Sequence, residues 1–149
     1  MTSIDPDTLP TAGLLRRLGA IVYDTLLLAA ILLVAGFIPL LFLGSAELGG
    51  ARPFLQTYLF IIIFMFFAWF WTHGGQTLGM RAWRLRIQND DGGPINWTQS
   101  MLRFMCGMVS LGALGLGFLW ILVDPKKLAW HDRFSNSKVI ILPKQPPSL

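Results

Sequence analysis

After a polar start, the sequence contains two long apolar runs that are separated by a short polar turn. The first contains about nineteen consecutive uncharged residues, Thr25 to Leu43, which is the length that a helix needs to cross a bilayer. We therefore predict a membrane helix from about Leu14 to Ile38, with Pro39 kinking or ending it. After the turn from Gly44 to Pro53, a second apolar run predicts a helix over about residues 54–71.

The polar stretch that follows alternates like a strand. Trp83 to Gln88 alternates apolar and polar residues strictly, which is typical of a strand with one buried face. The sequence NDDGGP, residues 89–94, is turn chemistry, and Ile95 to Trp97 is expected to begin a returning strand. Lys138 to Leu142 is also strand-like and is the natural third strand, because an isolated hairpin is only marginally stable in water. We expect this small β-hairpin element to be cytoplasmic.

A third apolar segment, Met101 to Val123, follows the predicted helix N-cap Thr98. Glycines interrupt this segment, and five basic residues follow it, from Lys126 onward. If the first two helices begin and end on the cytoplasmic side, a single third crossing would place those five outside, against the positive-inside rule. We prefer a re-entrant helical hairpin that turns between Gly112 and Gly117 over a third simple span.

Composition places the chain among membrane proteins. Only 13% of the 149 residues are charged and 54% are hydrophobic, whereas a soluble domain has about 25% charged residues. The net charge of +4 does not predict nucleic-acid binding, because the basic residues flank the apolar runs and form no patch in the sequence. We expect one membrane domain over residues 14–142 between flexible tails, residues 1–13 and 143–149, with both termini cytoplasmic.

The charged residues within or next to these apolar runs are the candidate functional residues. Asp24 lies inside the first helix, and Arg17 precedes it by seven residues, which places both on one helix face. A carboxylate in hydrocarbon costs at least ~2.5 kcal/mol, so it normally faces protein or water and has a function. Near the other end of the chain, Asp132 lies between His131 and Arg133, close to the expected membrane surface.

Three segments of the sequence resemble a known family, the RDD membrane proteins, which are named for one arginine and two aspartates. RRLGAIVYD contains the matching Arg17 and Asp24, and WHDRFSNSKVIIL contains the matching Asp132. The block GGQTLGMRAWRLRIQNDDGGPINWTQSMLR also looks like this family. The resemblance covers about residues 14–142 and implies a small multi-pass inner-membrane protein of bacterial type, an all-α membrane protein with a small sheet element.

What these residues do has two interpretations. Some RDD members have been proposed to exchange sodium or other cations for protons, so the resemblance implies transport of a monovalent cation and protons through Asp24, with Arg17 and Asp132. Alternatively, Arg17 pairs with Asp24 or Asp132 as a fixed charge clamp in a non-transporting accessory subunit. The secondary candidates are His131, which we expect to titrate near neutral pH, and three arginines, namely Arg81, Arg103 and Arg133.

Other classes of function have no supporting pattern. No serine or cysteine nucleophile comes with a recognisable motif, and Cys106 is the only cysteine, so we expect neither an enzyme nor a cofactor or metal site. Two helices and a hairpin enclose too little volume for a closed pathway. We therefore expect a homo-oligomer or a membrane partner protein in addition to the lipid bilayer.

Overall fold

Two long helices form the membrane-type part of the protein. The computed structural model describes residues 9–144, with the side chains of residues 43–48 left out of the description. α1 spans Leu14–Gly50 and α2 spans Arg52–Thr72. Both are long and apolar enough to cross a membrane, which confirms the prediction of two candidate spans.

The first helix is longer than the sequence pattern predicted. Pro39 lies inside α1 and does not end it, and the helix continues to Gly50. Proline removes one backbone hydrogen bond, but helices of membrane proteins tolerate it because local adjustments satisfy the freed carbonyl. The predicted turn beginning at Gly44 is wrong in extent, since only Ala51 separates the two helices.

After α2, a short helix α3, Leu78–Ala82, leads into a two-stranded antiparallel sheet at one end of the long helices. β1, Leu85–Asn89, pairs with β2, Ser137–Ile141, in the register Leu85 to Ile141 through Asn89 to Ser137. The predicted strands at Trp83–Gln88 and Lys138–Leu142 are therefore confirmed within two residues, but the predicted hairpin of the first strand with Ile95–Trp97 is wrong. Ile95 is buried in the core instead of continuing a strand.

Helix capping explains why the chain does not return as a strand after the turn. Asn96 accepts a hydrogen bond from the backbone N–H of Gln99, and the Gln99 side chain accepts one from the backbone N–H of Asn96. This reciprocal pair begins α4, Trp97–Gly112, and places the N-cap two residues before the predicted Thr98.

The third apolar segment is sharply bent. α4 ends at Gly112, and a short helix α5, Leu116–Leu119, continues as a 3-10 turn over Trp120–Leu122 at an angle of 106° to α4. Gly115 has a φ of +78°, a conformation that glycine adopts without strain, and its N–H donates to the carbonyl of Ser110. The break lies inside the predicted window from Gly112 to Gly117.

The bent segment leaves from and returns to the same sheet. β1 precedes α4, and after the 3-10 turn a short helix α6, Trp130–Phe134, leads directly into β2. α6 packs against α4, and β2 pairs with β1. The two ends of the bent segment are therefore neighbours.

The core lies where the sheet meets the long helices. Leu85, Ile87 and Val139 of the sheet pack with Ala20 of α1, and Trp71 of α2 packs against the same cluster. By contrast, only 6% of the most apolar window of either long helix is buried inside the protein. Most of the surface of α1 and α2 is therefore available to lipid or to another protein.

The segment before α1 is attached to the sheet. The backbone N–H of Ala12 donates to the carbonyl of Val139, and the N–H of Ile141 donates to the carbonyl of Pro10. Of the two tails predicted to be flexible, residues 1–8 and 145–149 lie outside the described residues. The described part of the first tail thus runs beside β2, between the sheet and α1.

Candidate functional site

Arg17, at the beginning of α1, is buried and bonded on all sides. Its Nη1 lies 2.5 Å from Oδ2 of Asp132 in α6, an ion pair that joins residues 115 positions apart. Its Nε donates to the carbonyl of Ala12, and its Nη2 donates to the carbonyl of Lys127, both at 3.0 Å. Arg17 therefore connects α1 to the segment that precedes it and to α6 with the loop before it.

A second buried arginine holds the same carboxylate. Nη1 of Arg103, in α4, lies 2.7 Å from Oδ1 of Asp132 and donates to the hydroxyl of Ser137 in β2 at 2.6 Å. The guanidinium group also lies over the ring of Trp71 in α2, 5.4 Å from its centroid. We call Arg17, Arg103 and Asp132 the arginine–aspartate cluster.

Asp132 is the centre of this cluster and is fully buried. Its Oδ2 also accepts the backbone N–H of Ala129 at 3.0 Å, so the side chain caps the first turn of α6. Burial would raise the pKa of Asp132, but the charges of Arg103 and Arg17 outweigh it and hold the pKa well below its usual range. The carboxyl group is therefore ionised at neutral pH and bonded through both oxygens.

His131 does not titrate as the sequence suggested. Burial lowers the pKa of His131 to about 3, against the smaller opposing effect of the Asp132 charge. Its Nε2 lies 3.6 Å from Oδ1 of Asp132, and its ring packs against Phe118. The prediction of a group titrating near neutral pH is therefore wrong, because the ring is buried beside two guanidinium groups.

Asp24 lies in a separate site and does not pair with Arg17. Its Oδ1 accepts the backbone N–H of Gly79 at 2.8 Å, and its Oδ2 is hydrogen-bonded to the hydroxyl of Thr77. Thr77 is the N-cap of a short helix, α3, Leu78–Ala82, and also accepts the N–H of Met80. We call Asp24, Thr77 and Gly79 the Asp24 cap.

The Asp24 cap requires close approach between α1 and α3. A Cβ atom at Gly79 would lie 2.3 Å from the carbonyl oxygen of Ala20 and 2.9 Å from Cγ of Asp24. On α1, next to Ala20, Gly19 packs against the ring of Trp83. Glycine on both helices therefore lets the backbone N–H of α3 reach the carboxylate of α1.

The spacing of Arg17 and Asp24 thus identified two buried residues on one helix but did not identify their partners. The structure brings Arg17 and Asp132 together and adds Arg103, whereas Asp24 has only uncharged donors among the described residues. Thr77 is not among the candidate residues predicted from the sequence. A threonine just before Leu78 is an N-cap signal that could have revealed it.

The remaining secondary candidates lie outside both sites. Arg133, which is half exposed, pairs with the buried carboxylate of Asp124, and the backbone N–H of Leu128, with Arg133, lowers the pKa of Asp124. Arg81 lines an open groove together with Arg84 and Arg86. The view that the basic residues form no patch is therefore wrong in three dimensions, because the fold brings these three together.

Comparison with known proteins gives one family. The model of the RDD family matches residues 11–136, which is most of the chain and includes both sites. No curated protein and no solved structure matches the sequence.

Proposed function

The chain belongs to the RDD family, and on that premise we propose that it is a membrane protein that exchanges a monovalent cation for protons at Asp24. In this proposal the arginine–aspartate cluster is a fixed clamp that holds the exchange site in place. The observation that carries it is the chemistry around Asp24: a buried carboxylate within a candidate span, bonded to uncharged donors alone in the described part of the chain.

The hydroxyl of Thr77, which is hydrogen-bonded to Oδ2 of Asp24, suits a carboxyl group that changes its protonation state. A threonine hydroxyl has one donor and two acceptor positions. Thr77 can therefore donate to an ionised Asp24, or accept from a protonated Asp24 while it still accepts from Met80. Proton uptake then needs a rotation of one hydroxyl and no movement of heavy atoms.

The other buried aspartate is a poor carrier. Asp132 is bonded to both arginines, and removal of its charge by protonation would leave two buried guanidinium groups without a counter-charge. A site that must bind and release a proton in each cycle cannot be held in one state so strongly. We therefore assign transport to Asp24 alone and a positioning role to Arg17, Arg103 and Asp132.

The length of α2 indicates where the bilayer lies. Its 21 residues span about 31 Å, close to the thickness of a hydrocarbon core. Trp71, near its end, packs against the cluster that contains Ala20, so the first turns of α1 project beyond α2. Asp24 then lies about one turn inside the hydrocarbon boundary, where water and ions reach it from one side.

We propose that the bent α4–α5 segment is re-entrant and that the sheet is cytoplasmic. The pairing of β1 with β2 supports this topology, because the segment starts and ends at one sheet. It also places the basic residues that follow the segment on the side of Arg81 and Arg86, as the positive-inside rule requires.

The pathway needs more than one chain. Only 6% of each span's apolar window is buried within one copy, and α1 and α2 alone enclose no channel. We propose a homo-oligomer in which neighbouring copies pack through the exposed side of α1, away from α3. The exposed faces of α1, which include Leu33 and Phe37, then provide the contact area.

An exchange assay in vesicles tests the proposal. The purified protein is reconstituted with a pH-sensitive dye inside, and sodium, potassium or lithium chloride is added outside. Exchange predicts that the internal pH rises after the pulse, and that Asp24→Asn abolishes the rise. Asp91→Asn is the matched control, because Asp91 is an exposed turn residue and its loss leaves both sites intact.

Two results would refute exchange at Asp24. One is a parent protein that changes the internal pH with none of the three cations. The other is an Asp24→Asn variant that reconstitutes as a folded protein and exchanges at the rate of Asp91→Asn. Circular dichroism of both variants before reconstitution separates lost transport from lost structure.

Single cysteines test the topology. In a Cys106→Ser background, cysteines replace Asp91 before α4, Lys126 after the 3-10 turn, and Ala51 between α1 and α2. A re-entrant segment predicts that a membrane-impermeant thiol reagent labels the first two from one side and the third from the other. Labelling of the first two from opposite sides would indicate a single crossing.

A second candidate is an accessory subunit that docks a different membrane protein through the exposed spans. A photo-crosslinking residue at Leu33, which is 77% exposed, tests it. A cross-linked product with a second protein in cells, together with absent exchange in vesicles, would support the accessory role. A product of twice the mass of the chain would support the homo-oligomer instead.

A further inference from the structure

We propose that the groove formed by Arg81, Arg84 and Arg86 binds a phosphate group, which we call the arginine groove. The groove is open and has a volume of about 570 Å³, within the usual range for small-ligand sites. It lies outside the arginine–aspartate cluster and the Asp24 cap.

Within residues 9–144 the three arginine side chains have no partners. Among the described residues, none of the three guanidinium groups forms an ion pair or donates a hydrogen bond, and Nε of Arg86 is buried without an acceptor. A buried donor without an acceptor is costly, and three like charges in one groove repel each other. An anion that accepts from them would remove both costs.

The backbone holds these arginines in a fixed arrangement. Arg81 lies in the last turn of α3, and the N–H of Arg84 donates to its carbonyl at 3.1 Å. Leu142 donates to the carbonyl of Arg84 at 2.8 Å, and Arg86 pairs with Ile140 within the sheet. The backbone of the groove is therefore in place before a ligand arrives, and only the arginine side chains have to be ordered on binding.

The chemistry of the lining favours phosphate over other anions. Planar guanidinium groups donate in pairs to phosphate oxygens, and several can bind one phosphate together. Apolar side chains, Leu9, Ile140 and Leu142, line the same groove and can contact an ester substituent. The ligand class is therefore a phosphate ester, which is supplied either by the headgroup of an anionic lipid or by a soluble compound.

The position of the groove brings both sources within reach. α3 packs against the first turns of α1, where the proposed bilayer boundary lies, and Trp83 lies over Gly19 with 37% of its surface exposed. Tryptophan is typical of the headgroup level. The arginine groove then opens beside the polar layer of the membrane and towards the aqueous phase.

Thermal unfolding of the full chain in a zwitterionic detergent tests the proposal, with two probes used separately. One is phosphatidylglycerol, compared with phosphatidylcholine, and the other is sodium pyrophosphate, compared with sodium chloride at equal ionic strength. Binding predicts a rise in melting temperature that saturates with the probe concentration. Saturation with phosphatidylglycerol alone identifies a lipid site, and saturation with pyrophosphate alone identifies a soluble ligand.

Two variants and a control locate the binding. Arg86→Gln and Arg81→Gln are each expected to weaken the apparent affinity by about tenfold, as loss of one charge-assisted hydrogen bond does. Lys126→Gln removes an exposed positive charge outside the groove and should change the affinity little. Arg81 is exposed in α3, so its variant remains informative if Arg86→Gln disturbs the sheet.

The proposal is overturned if neither probe raises the melting temperature beyond its control. It is also overturned if Lys126→Gln weakens binding as much as both groove variants do, because the attraction would then come from general charge and not from a site.

Discussion

The two buried aspartates of this protein are held in opposite ways. Asp132 lies between the guanidinium groups of Arg17 and Arg103, whereas Asp24 is bonded to a hydroxyl and a backbone N–H. The first arrangement fixes a charge, because any change of state leaves buried charges unpaired. The second satisfies the carboxyl group without a counter-charge. The arginine and two aspartates that give the family its name therefore divide between a buried ion-paired cluster and a carboxyl group that is bonded to uncharged donors among the described residues.

The largest expected effect on stability is at the arginine–aspartate cluster. Asp132→Asn leaves Arg17 and Arg103 buried without a counter-charge, and we expect it to lower the free energy of unfolding by about 3–5 kcal/mol. Unfolding in mixed micelles, followed by circular dichroism, measures the change. Asp91→Asn is the control and should change stability by less than about 0.5 kcal/mol, because Asp91 is at the surface. A clamp variant as stable as the control would contradict the fixed-charge interpretation.

Steric contact at the Asp24 cap should give the next largest effect. Gly79→Ala places a Cβ atom 2.3 Å from the backbone of α1, and we expect a loss of about 3 kcal/mol, at the upper end of overpacking costs. Gly107→Ala is the matched control, since a Cβ there meets nothing within 4 Å. Equal stability of the two alanine variants would show that α3 does not pack closely on α1.

His131, which is buried beside the arginine–aspartate cluster, should also make the stability of the protein sensitive to acid. Its pKa is lowered from 6.5 to about 3 in the folded state, so the unfolded chain binds more protons between these values. The free energy of unfolding is then at its highest above about pH 6.5. It decreases as the pH is lowered, by ~2 kcal/mol at pH 5.

Replacement of the ring tests this dependence. Melting temperatures between pH 7.5 and pH 5 should fall less for His131→Gln than for the parent or for His73→Gln, which changes an exposed histidine. An unchanged pH profile in His131→Gln would show that another group is responsible. Asp132 does not interfere, because its pKa is lowered and its contribution is lost only at more acidic pH.

The smallest expected change is at Asp24 itself. Asp24→Asn retains an oxygen for the N–H of Gly79, and its amide donates to the hydroxyl of Thr77. We expect a loss of about 1 kcal/mol or less, measured by the same unfolding experiment. A loss as large as that of Asp132→Asn would remove the contrast between the two sites and make Asp24 a structural residue too.

The sequence identifies what is local in this fold. The apolar runs gave both long helices, the alternation at Trp83 to Gln88 gave β1, and the glycines gave the break after Gly112. It did not give the partner of β1, because a strand pattern carries no information about which distant segment pairs with it. The N-cap at Asn96 was local and readable, since Gln99 completes a capping box.

The candidate site shows the same limit. Spacing on α1 correctly marked Arg17 and Asp24 as two charged residues on one face of a helix, and the family motif added Asp132. Whether Arg17 pairs with Asp24 or Asp132 depends on how α6 returns to α1, and no periodicity encodes that return. No periodicity indicates that Arg103 contacts Asp132 either, because α4 brings Arg103 to the site only after the bent segment has folded back.

The long sequence separation between Arg17 and Asp132 affects how the protein matures. The arginine is synthesised before its carboxylate, which follows 115 residues later. Until then a guanidinium group beside the membrane has no acid to neutralise it, and a chain that stops before α6 keeps this defect permanently. Formation of this one ion pair thus requires that the chain from α1 to α6 has been made and has folded together.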